Sequence, residues 1–358
     1  GYADATFYKC RKCRGSQSYG ATEKCINCFH SAKPLRTVSF VDAPGPETLM
    51  ATVLAGTSIM DGVLLIIGAN EPCPQPQTRE HLVAMEIAGI KNIVIVQNKI
   101  DLVSPQEAKK NHKQIRDFVK GTIAEKAPVI PVSAQQGINI DALIEAIEAN
   151  IPTPKRDSKK PPKMLVARSF DVNRPGTPIE RLKGGILGGS LTEGVLKLGQ
   201  EIEIRPGIKV KGEFKPVATR VTGLQKSMRD LKEAGPGGLL GVSTGLDPYL
   251  TKSDSLSGNV AGLPGKLPPV MQELNLKTNL LERVVGAKEE LKVEPIKPGE
   301  TLMLTISTSR TVDVVSAGGG GNVQLRLKLP VCAEKGDRVA LGRQVSGRWR
   351  LIGWGQVA

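Results

Sequence analysis

The sequence is poor in aromatic residues, since Phe, Trp and Tyr make up 3% of its 358 residues. This scarcity argues against rows of aromatic side chains that stack on nucleic-acid bases. The sequence also lacks any apolar run of about 18 residues, the length that a membrane-spanning helix needs; its best candidate is the strand-sized "VLLIIGAN" at 63–70. No secretory signal is found at the start, where the first residue is Gly1. We therefore expect a protein that does not cross a membrane.

Positive charge is what the sequence has in excess. It holds 49 Lys and Arg against 35 Asp and Glu, a formal net charge of +14. Clustered cations gain affinity for phosphates by releasing counterions, so we expect a polyanionic partner such as RNA or DNA. The alternative is a basic surface that only aids solubility.

The first half of the chain alternates strand-like and helix-like segments. Its apolar runs lie at 37–41, 63–69, 93–96 and 128–132. Its helical patterns lie near 77–89, 105–125 and 139–150, the last of them with Asn139 as a predicted N-cap. Strands that alternate with helices predict a doubly wound, mainly parallel sheet covered on both faces.

The second half has a different pattern, which begins after the proline-rich, charged "IPTPKRDSKKPP". Short alternating stretches such as "QEIEIRPG" and "VQLRLKLP" predict two antiparallel β-barrels, separated near "LPGKLPPV". The sequence thus predicts four parts: an α/β domain at 1–152, a linker at 153–162, and barrels at 163–266 and 267–358.

Two polar motifs follow predicted strands of the α/β domain. In "NKID", Asp101 offers two carboxylate oxygens that can accept both N–H donors of a guanine edge, while Asn98 and Lys99 can brace the loop and cover the ring. In "SAQQG", formed by Ser133, Ala134, Gln135 and the two residues after them, the Ala134 N–H could reach the base carbonyl. Either motif alone is also typical of an ordinary turn or of a serine-capped connection.

A third motif, "DAPG", also ends a strand. Asp42 can hold Mg²⁺ through water, and Gly45 lets the backbone N–H approach a terminal phosphate, although a plain Pro-Gly turn is the alternative. The three motifs in this order predict a guanine-nucleotide site. No G-x-x-x-x-G-K-[ST] phosphate loop occurs in the sequence. Truncation before Gly1 is the simplest explanation, and this chain is expected to bind nucleotide poorly.

The cysteines form a second constellation near the start of the chain. Two C-x-x-C pairs, separated by eleven residues, consist of Cys10, Cys13, Cys25 and Cys28. Four thiolates in such a pattern can surround Zn²⁺ tetrahedrally, and the sequence predicts this zinc knuckle at 10–28. The competing interpretation is two disulfides, which a reducing cytosol disfavours.

With these motifs in place, the chain resembles the gamma subunit of archaeal and eukaryotic translation initiation factor two, an elongation factor Tu-like translational GTPase. The resemblance covers essentially the whole chain. It depends on the knuckle, on "DAPG" and on five further blocks: "GYADA", "GANEPCPQPQTREHL", "VQNKIDLV", "VARSFDVNRPGT" and "GRWRLIGWGQ".

The resemblance implies a GTP-dependent carrier of methionyl initiator tRNA to the small ribosomal subunit, cytoplasmic and joined to alpha and beta subunits. It implies GTP or GDP, Mg²⁺ and Zn²⁺ as cofactors, with an α/β G domain followed by two barrels. It assigns the guanine to Asn98, Lys99, Asp101, Ser133, Ala134 and Gln135. It assigns Mg²⁺ and the γ-phosphate to Asp42 and Gly45, and zinc to the four knuckle cysteines.

One position departs from the family pattern. The family usually has His after D-x-x-G, where it helps to position the attacking water, and this chain has Pro46. A proline side chain offers no donor or acceptor, so no catalytic residue is assigned there. This position motivates one alternative, a nucleotide-responsive tRNA-binding module with impaired GTP hydrolysis. A separate alternative is an elongation-type aminoacyl-tRNA carrier. As a structural element, Pro46 suits the first position of a following helix.

Overall fold

The computed structural model describes residues 2–42, 50–284 and 291–358, and for residues 50–53 it describes the backbone alone. It contains two compact units. The first comprises the residues up to Met50 together with Met60–Pro154, and the second comprises Ala51–Ile59 together with Lys155–Ala358. Each unit has its own hydrophobic core.

The described residues contain four α-helices: α1 (Met50–Thr57), α2 (Pro76–Ala88), α3 (Pro105–Val119) and α4 (Ile140–Asn150). Helix α3 begins with a capping box, in which the Ser104 hydroxyl accepts the Glu107 N–H and the Glu107 carboxylate accepts the Ser104 N–H. The helix predicted over 105–125 ends at Val119, and turns occupy 120–126.

The first unit has six strands in its described residues: β1 (Tyr2–Cys10), β2 (Tyr19–Gly20), β3 (Ala32–Val41), β4 (Val63–Gly68), β5 (Ile93–Asn98) and β6 (Val129–Pro131). Strands β4, β5 and β6 form a parallel sheet in that order. Strand β1 pairs antiparallel with β2 and β3 in a second sheet, with the knuckle segment between β1 and β3.

Alternate residues of β4 point to opposite faces of the parallel sheet, and helices cover both faces. Leu65 packs in a core with residues of α2 and α3. Leu64 packs on the other face against Ile144 and Ile147 of α4 and Phe7 of β1. The doubly wound α/β arrangement predicted from the sequence is thus confirmed.

The second unit contains two closed antiparallel barrels. The first consists of β7 (Lys163–Phe170), β8 (Ile186–Glu193), β10 (Glu201–Val210), β11 (Glu213–Lys226), β14 (Leu240–Thr244) and β15 (Val260–Gly262). Shorter strands accompany it: β9 (Leu196–Lys197), β12 (Arg229–Leu231) and β13 (Glu233–Ala234). The second barrel consists of β16 (Val270–Leu280), β17 (Thr301–Ile306), β18 (Ser309–Gly319), β19 (Asn322–Cys332), β20 (Arg338–Val345) and β21 (Arg348–Val357).

In both barrels, every second residue of a strand points into the core. Ile202 and Ile204 of β10 point into the first, and Leu302 and Leu304 of β17 point into the second. The two predicted barrels are therefore confirmed. The predicted domain limits stay a prediction; the main barrel strands that follow them begin at Lys163 and Val270. In the described part of the chain, no helix has both the length and the apolar character needed to cross a bilayer.

Candidate functional site

The candidate base-binding loops lie at the carboxyl ends of neighbouring parallel strands, β5 and β6. Asn98 is the last residue of β5, and its Oδ1 accepts two backbone hydrogen bonds, from the Lys99 N–H (2.8 Å) and from the Ala134 N–H (3.1 Å). The second bond crosses from the "NKID" loop to the "SAQQG" loop. A single amide side chain therefore holds together the two loops that the sequence assigns to guanine.

The "NKID" loop turns sharply after Asn98. Lys99 has a left-handed backbone with φ of 63°, and Ile100–Leu102 form a 3₁₀ turn that leaves the Asp101 carboxylate exposed. The Ile100 N–H donates to the Val132 carbonyl (3.3 Å), which anchors this turn to the residue before "SAQQG". Asp101 is thus free of the protein core and presents its acceptor oxygens to solvent at the sheet edge.

The "SAQQG" loop closes on itself. Ser133 is fully buried, pairs with Ile138 through both backbone hydrogen bonds, and accepts the Gln136 N–H with its hydroxyl (3.2 Å). Ala134 and Gln135 are exposed at the tip. The Ala134 N–H, which the sequence interpretation directs to a base carbonyl, donates to Asn98 in this structure, so a bound base would have to share or replace that bond.

Behind these loops lies a buried amide pair that the sequence analysis missed. The Gln97 Nε2 donates to the Ala108 carbonyl (2.8 Å) and to the Asn111 Oδ1 (2.9 Å). The Asn111 Nδ2 in turn donates to the carbonyls of Glu71 (2.8 Å) and Gly68 (3.3 Å). The pair ties α3 to the ends of β4 and β5, directly before Asn98.

A usable signal for this pair exists in the sequence. Asn111, Ile115 and Val119 recur every four residues, so a polar residue occupies the buried face of α3. A buried amide needs hydrogen-bond partners, and Gln97, at the end of an otherwise apolar strand, has the matching chemistry.

The structure places one residue of the "DAPG" motif. Asp42 directly follows β3 and is exposed. Gly45 and Pro46 lie outside the described residues. An exposed carboxylate at a strand end can bind Mg²⁺ through a water molecule.

The four knuckle cysteines come together as predicted. Their sulfur atoms lie within 4.8 Å of one another, with 3.5 Å between Cys10 and Cys28 and 3.7 Å between Cys13 and Cys25. A tetrahedral zinc site with Zn–S bonds of about 2.3 Å separates its sulfurs by roughly 3.8 Å, whereas a disulfide bond is about 2.05 Å long. The geometry is therefore compatible with zinc, and all six cysteines of the chain are free of disulfides.

Backbone N–H donors stabilise the thiolate form of one of these sulfurs, which is the form that binds a metal. The N–H groups of Cys13 and Lys12 point at the Cys10 sulfur and lower the pKa of this thiol to about 6. Hydrogen bonding to Cys28, with burial, raises the pKa of Cys13 to about 12. Because zinc binds thiolates, loading the site would displace the protons that the cluster retains.

Three family models cover most of the chain. Residues 16–153 match the elongation factor Tu GTP binding domain, residues 184–261 match elongation factor Tu domain 2, and residues 272–357 match the C-terminal domain of initiation factor eIF2 gamma. Translation initiation factor 2 subunit gamma of Methanocaldococcus jannaschii is 57% identical over 361 residues, which span 100% of this chain and 87% of that protein. The chain belongs to this gamma-subunit family. The Pyrococcus furiosus gamma subunit is 56% identical, over 99% of this chain and 87% of its own length.

Solved structures agree on the fold of this gamma-subunit family member. Translation elongation factor SelB of Methanococcus maripaludis, in complex with the GTP analogue GPPNHP, superposes with a TM-score of 0.72 at 21% identity, over 91% of this chain and 72% of that one. At this identity the likeness shows the fold alone. The predicted family and fold are confirmed, and the chain is a translation initiation factor with a GTPase-type domain.

Proposed function

We propose that this gamma-subunit family member is a GTP-dependent carrier of methionyl initiator tRNA to the small ribosomal subunit, acting in the cytoplasm with alpha and beta subunits. The observation that carries the nucleotide part is the Asn98 side chain, which joins the two base-binding loops by accepting a backbone hydrogen bond from each. The net charge of +14 supports an RNA cargo.

In this proposal each loop residue has a defined task. Asp101 accepts the N1–H and the exocyclic amine of guanine, a pair of donors that adenine does not present together. Lys99, whose backbone is left-handed, covers the base with its side chain. The Ala134 N–H changes its acceptor from Asn98 to the base carbonyl. Ser133 and Gln135 belong to the loop that presents this N–H.

The metals have separate roles. Asp42, through water, and Gly45 would hold Mg²⁺ and the γ-phosphate, where the cation neutralises phosphate charge. Cys10, Cys13, Cys25 and Cys28 would hold a structural Zn²⁺ that cross-links the two C-x-x-C segments of the knuckle.

A competition experiment tests the carrier. With GTP, a version that carries the phosphate loop is expected to bind methionyl initiator tRNA more tightly than elongator methionyl-tRNA, and with GDP this affinity is expected to fall. Equal affinity for the two tRNAs would favour an elongation-type carrier, and equal affinity with the two nucleotides would contradict the switch.

One residue supports a second candidate, a nucleotide-responsive tRNA-binding module with impaired hydrolysis. Pro46 stands where the family usually has the water-positioning His. Single-turnover GTP hydrolysis by a version that carries a G-x-x-x-x-G-K-[ST] phosphate loop is expected to be slow and to accelerate with Pro46→His. A normal rate that this substitution leaves unchanged would remove the second candidate.

A further inference from the structure

The tip of the knuckle presents two large apolar side chains to solvent. Phe29 is 78% exposed and Ile26 is 65% exposed, in a chain with only 6 Phe residues. Phe29 directly follows Cys28, and Ile26 directly follows Cys25. Because neighbouring Cα atoms are about 3.8 Å apart, both side chains belong to the immediate surroundings of the cysteine cluster.

The same segment also carries exposed cations. Four exposed cations are each next to a knuckle cysteine in sequence: Arg11, Lys12, Arg14 and Lys24. Together with Ile26 and Phe29 they form what we call the knuckle surface.

The knuckle remains basic after its acidic groups are counted. Segment 9–33 has six Lys and Arg residues and one acid, Glu23, which gives +5. A zinc ion with four thiolates contributes about −2, so the loaded segment has a net charge of about +3. The positive charge therefore belongs to the folded, metal-bound knuckle.

Hydrogen bonds hold Phe29 in its outward position. Its backbone is left-handed with φ of 59°, its N–H donates to the Cys25 carbonyl (2.9 Å), and the Cys25 N–H donates to the His30 carbonyl (2.9 Å). The Lys12 ammonium donates to His30 Nε2 (2.7 Å), while His30 Nδ1 lies 2.9 Å from the Cys28 carbonyl. These contacts fix the backbone at Phe29, and the bond from Lys12 to His30 joins the two C-x-x-C segments of the knuckle.

We propose that the knuckle surface binds single-stranded RNA, with an unpaired base stacked on Phe29 and flanking phosphates bound by the surrounding cations. A base offers a flat π-face to an exposed ring, and phosphates match the net positive charge. Ile26 lies in the turn that the bond from the Phe29 N–H to the Cys25 carbonyl closes, and it adds a second exposed apolar side chain to the knuckle surface. The occupant is RNA rather than an apolar protein helix because the surface has four cations and two apolar side chains. This site uses none of the residues assigned to guanine, so it goes beyond the proposed carrier function.

A photocrosslinking experiment locates such a site. The zinc-loaded full chain is mixed with a 12-nucleotide oligouridylate that has one central 4-thiouridine, irradiated, and mapped by mass spectrometry. The crosslink is expected in the peptide that contains Phe29. Crosslinks confined to peptides of the barrels would overturn the proposal, as would equal binding of a 12-base-pair RNA duplex.

Affinity measurements on variants separate stacking from charge. Phe29→Ala is expected to weaken oligouridylate binding by about fivefold to a hundredfold, and Phe29→Trp is expected to restore it. Replacing Arg11 and Arg14 by Gln is expected to reduce the slope of log affinity against log salt by about 1.4, because each single-strand phosphate contact contributes about 0.7.

Tyr249→Ala is the matched control, since Tyr249 is an aromatic residue of the first barrel that is also 78% exposed. Zinc content verifies that each variant keeps its knuckle. If Phe29→Ala leaves RNA affinity unchanged and weakens binding of the alpha or beta subunit instead, the knuckle surface is a protein-docking site and the proposal is wrong.

Discussion

The buried Asn111 offers the sharpest test of how the base-binding loops are held. Its side chain makes three hydrogen bonds, one accepted from Gln97 and two donated to the Gly68 and Glu71 carbonyls. At about 1 kcal/mol net for each bond, and with extra cost for buried groups left unpaired, Asn111→Ala is expected to destabilise the first unit by about 2–4 kcal/mol. For a unit of this size, 1 kcal/mol corresponds to about 2–4 °C, so its melting temperature should fall by roughly 4–16 °C.

Differential scanning calorimetry of the full chain measures this effect with an internal control. The hydrogen bonds of Asn111 all lie within the first unit, so the transition of the two barrels is expected to stay in place. Lys110→Ala is the matched control on the same helix, because Lys110 is exposed and surface substitutions change stability by about 0.5 kcal/mol or less. A first transition that is unchanged by Asn111→Ala would refute the reasoning, and so would an equal shift of both transitions.

Three other predictions concern separate parts of the chain. Freshly purified reduced protein is expected to contain about one equivalent of zinc by atomic absorption, and Cys10→Ala is expected to lose it, because four thiolates form one tetrahedral site; protein without zinc would contradict the metal site. In a version that carries a G-x-x-x-x-G-K-[ST] phosphate loop, Asp101→Asn is expected to reduce GDP affinity by about a hundredfold or more and to favour xanthosine diphosphate, since an amide matches the donor and acceptor of xanthine; titration of both nucleotides checks this. Burial raises the pKa of Asp313, whose Oδ1 accepts the Lys328 N–H (2.6 Å), so its ionisation opposes folding as pH rises through the folded pKa. Asp313→Asn is therefore expected to melt at a higher temperature than the parent at pH 7, with an advantage that disappears below about pH 4, near the unfolded pKa; a lower melting temperature at pH 7 would contradict this.

The positions of the two candidate base-binding loops in the sheet could be predicted because parallel strands bring their carboxyl ends to one edge of a sheet; their role in binding guanine stays a prediction. Asn98 and Ser133 each follow an apolar strand, and the order of the motifs along the chain needs no distant contact to be recognised. The cysteine cluster was predictable for a similar reason, since each C-x-x-C pair is local and only the meeting of the two pairs is long-range.

Features that depend on contacts between distant segments were not predicted. Strand β1 lies in a polar, cysteine-rich stretch and is stabilised by pairing with β3, more than twenty residues later. Asn139 stands at the N-cap position of α4, yet its backbone is left-handed and its side chain donates to the Pro131 carbonyl (2.8 Å) instead of capping the helix. In both cases tertiary contacts decide what local propensity leaves open.

In the proposed nucleotide site, discrimination between bases and the rate of GTP hydrolysis depend on different residues, so one substitution is expected to change only one of them. Discrimination between bases is a difference of affinities, so it depends on Asp101 and on the loops that Asn98 joins, while contacts to the phosphates cancel in the ratio. Hydrolysis depends on groups near the γ-phosphate, the region to which the family resemblance assigns Pro46. Pro46→His is therefore expected to change the single-turnover rate and to leave the ratio of guanosine to xanthosine diphosphate affinities unchanged, whereas Asp101→Asn should invert that ratio. A change of the ratio by Pro46→His would show that the two ends of the nucleotide site are coupled, and the loops at Asn98 would then not be the independent element that their hydrogen bonds indicate.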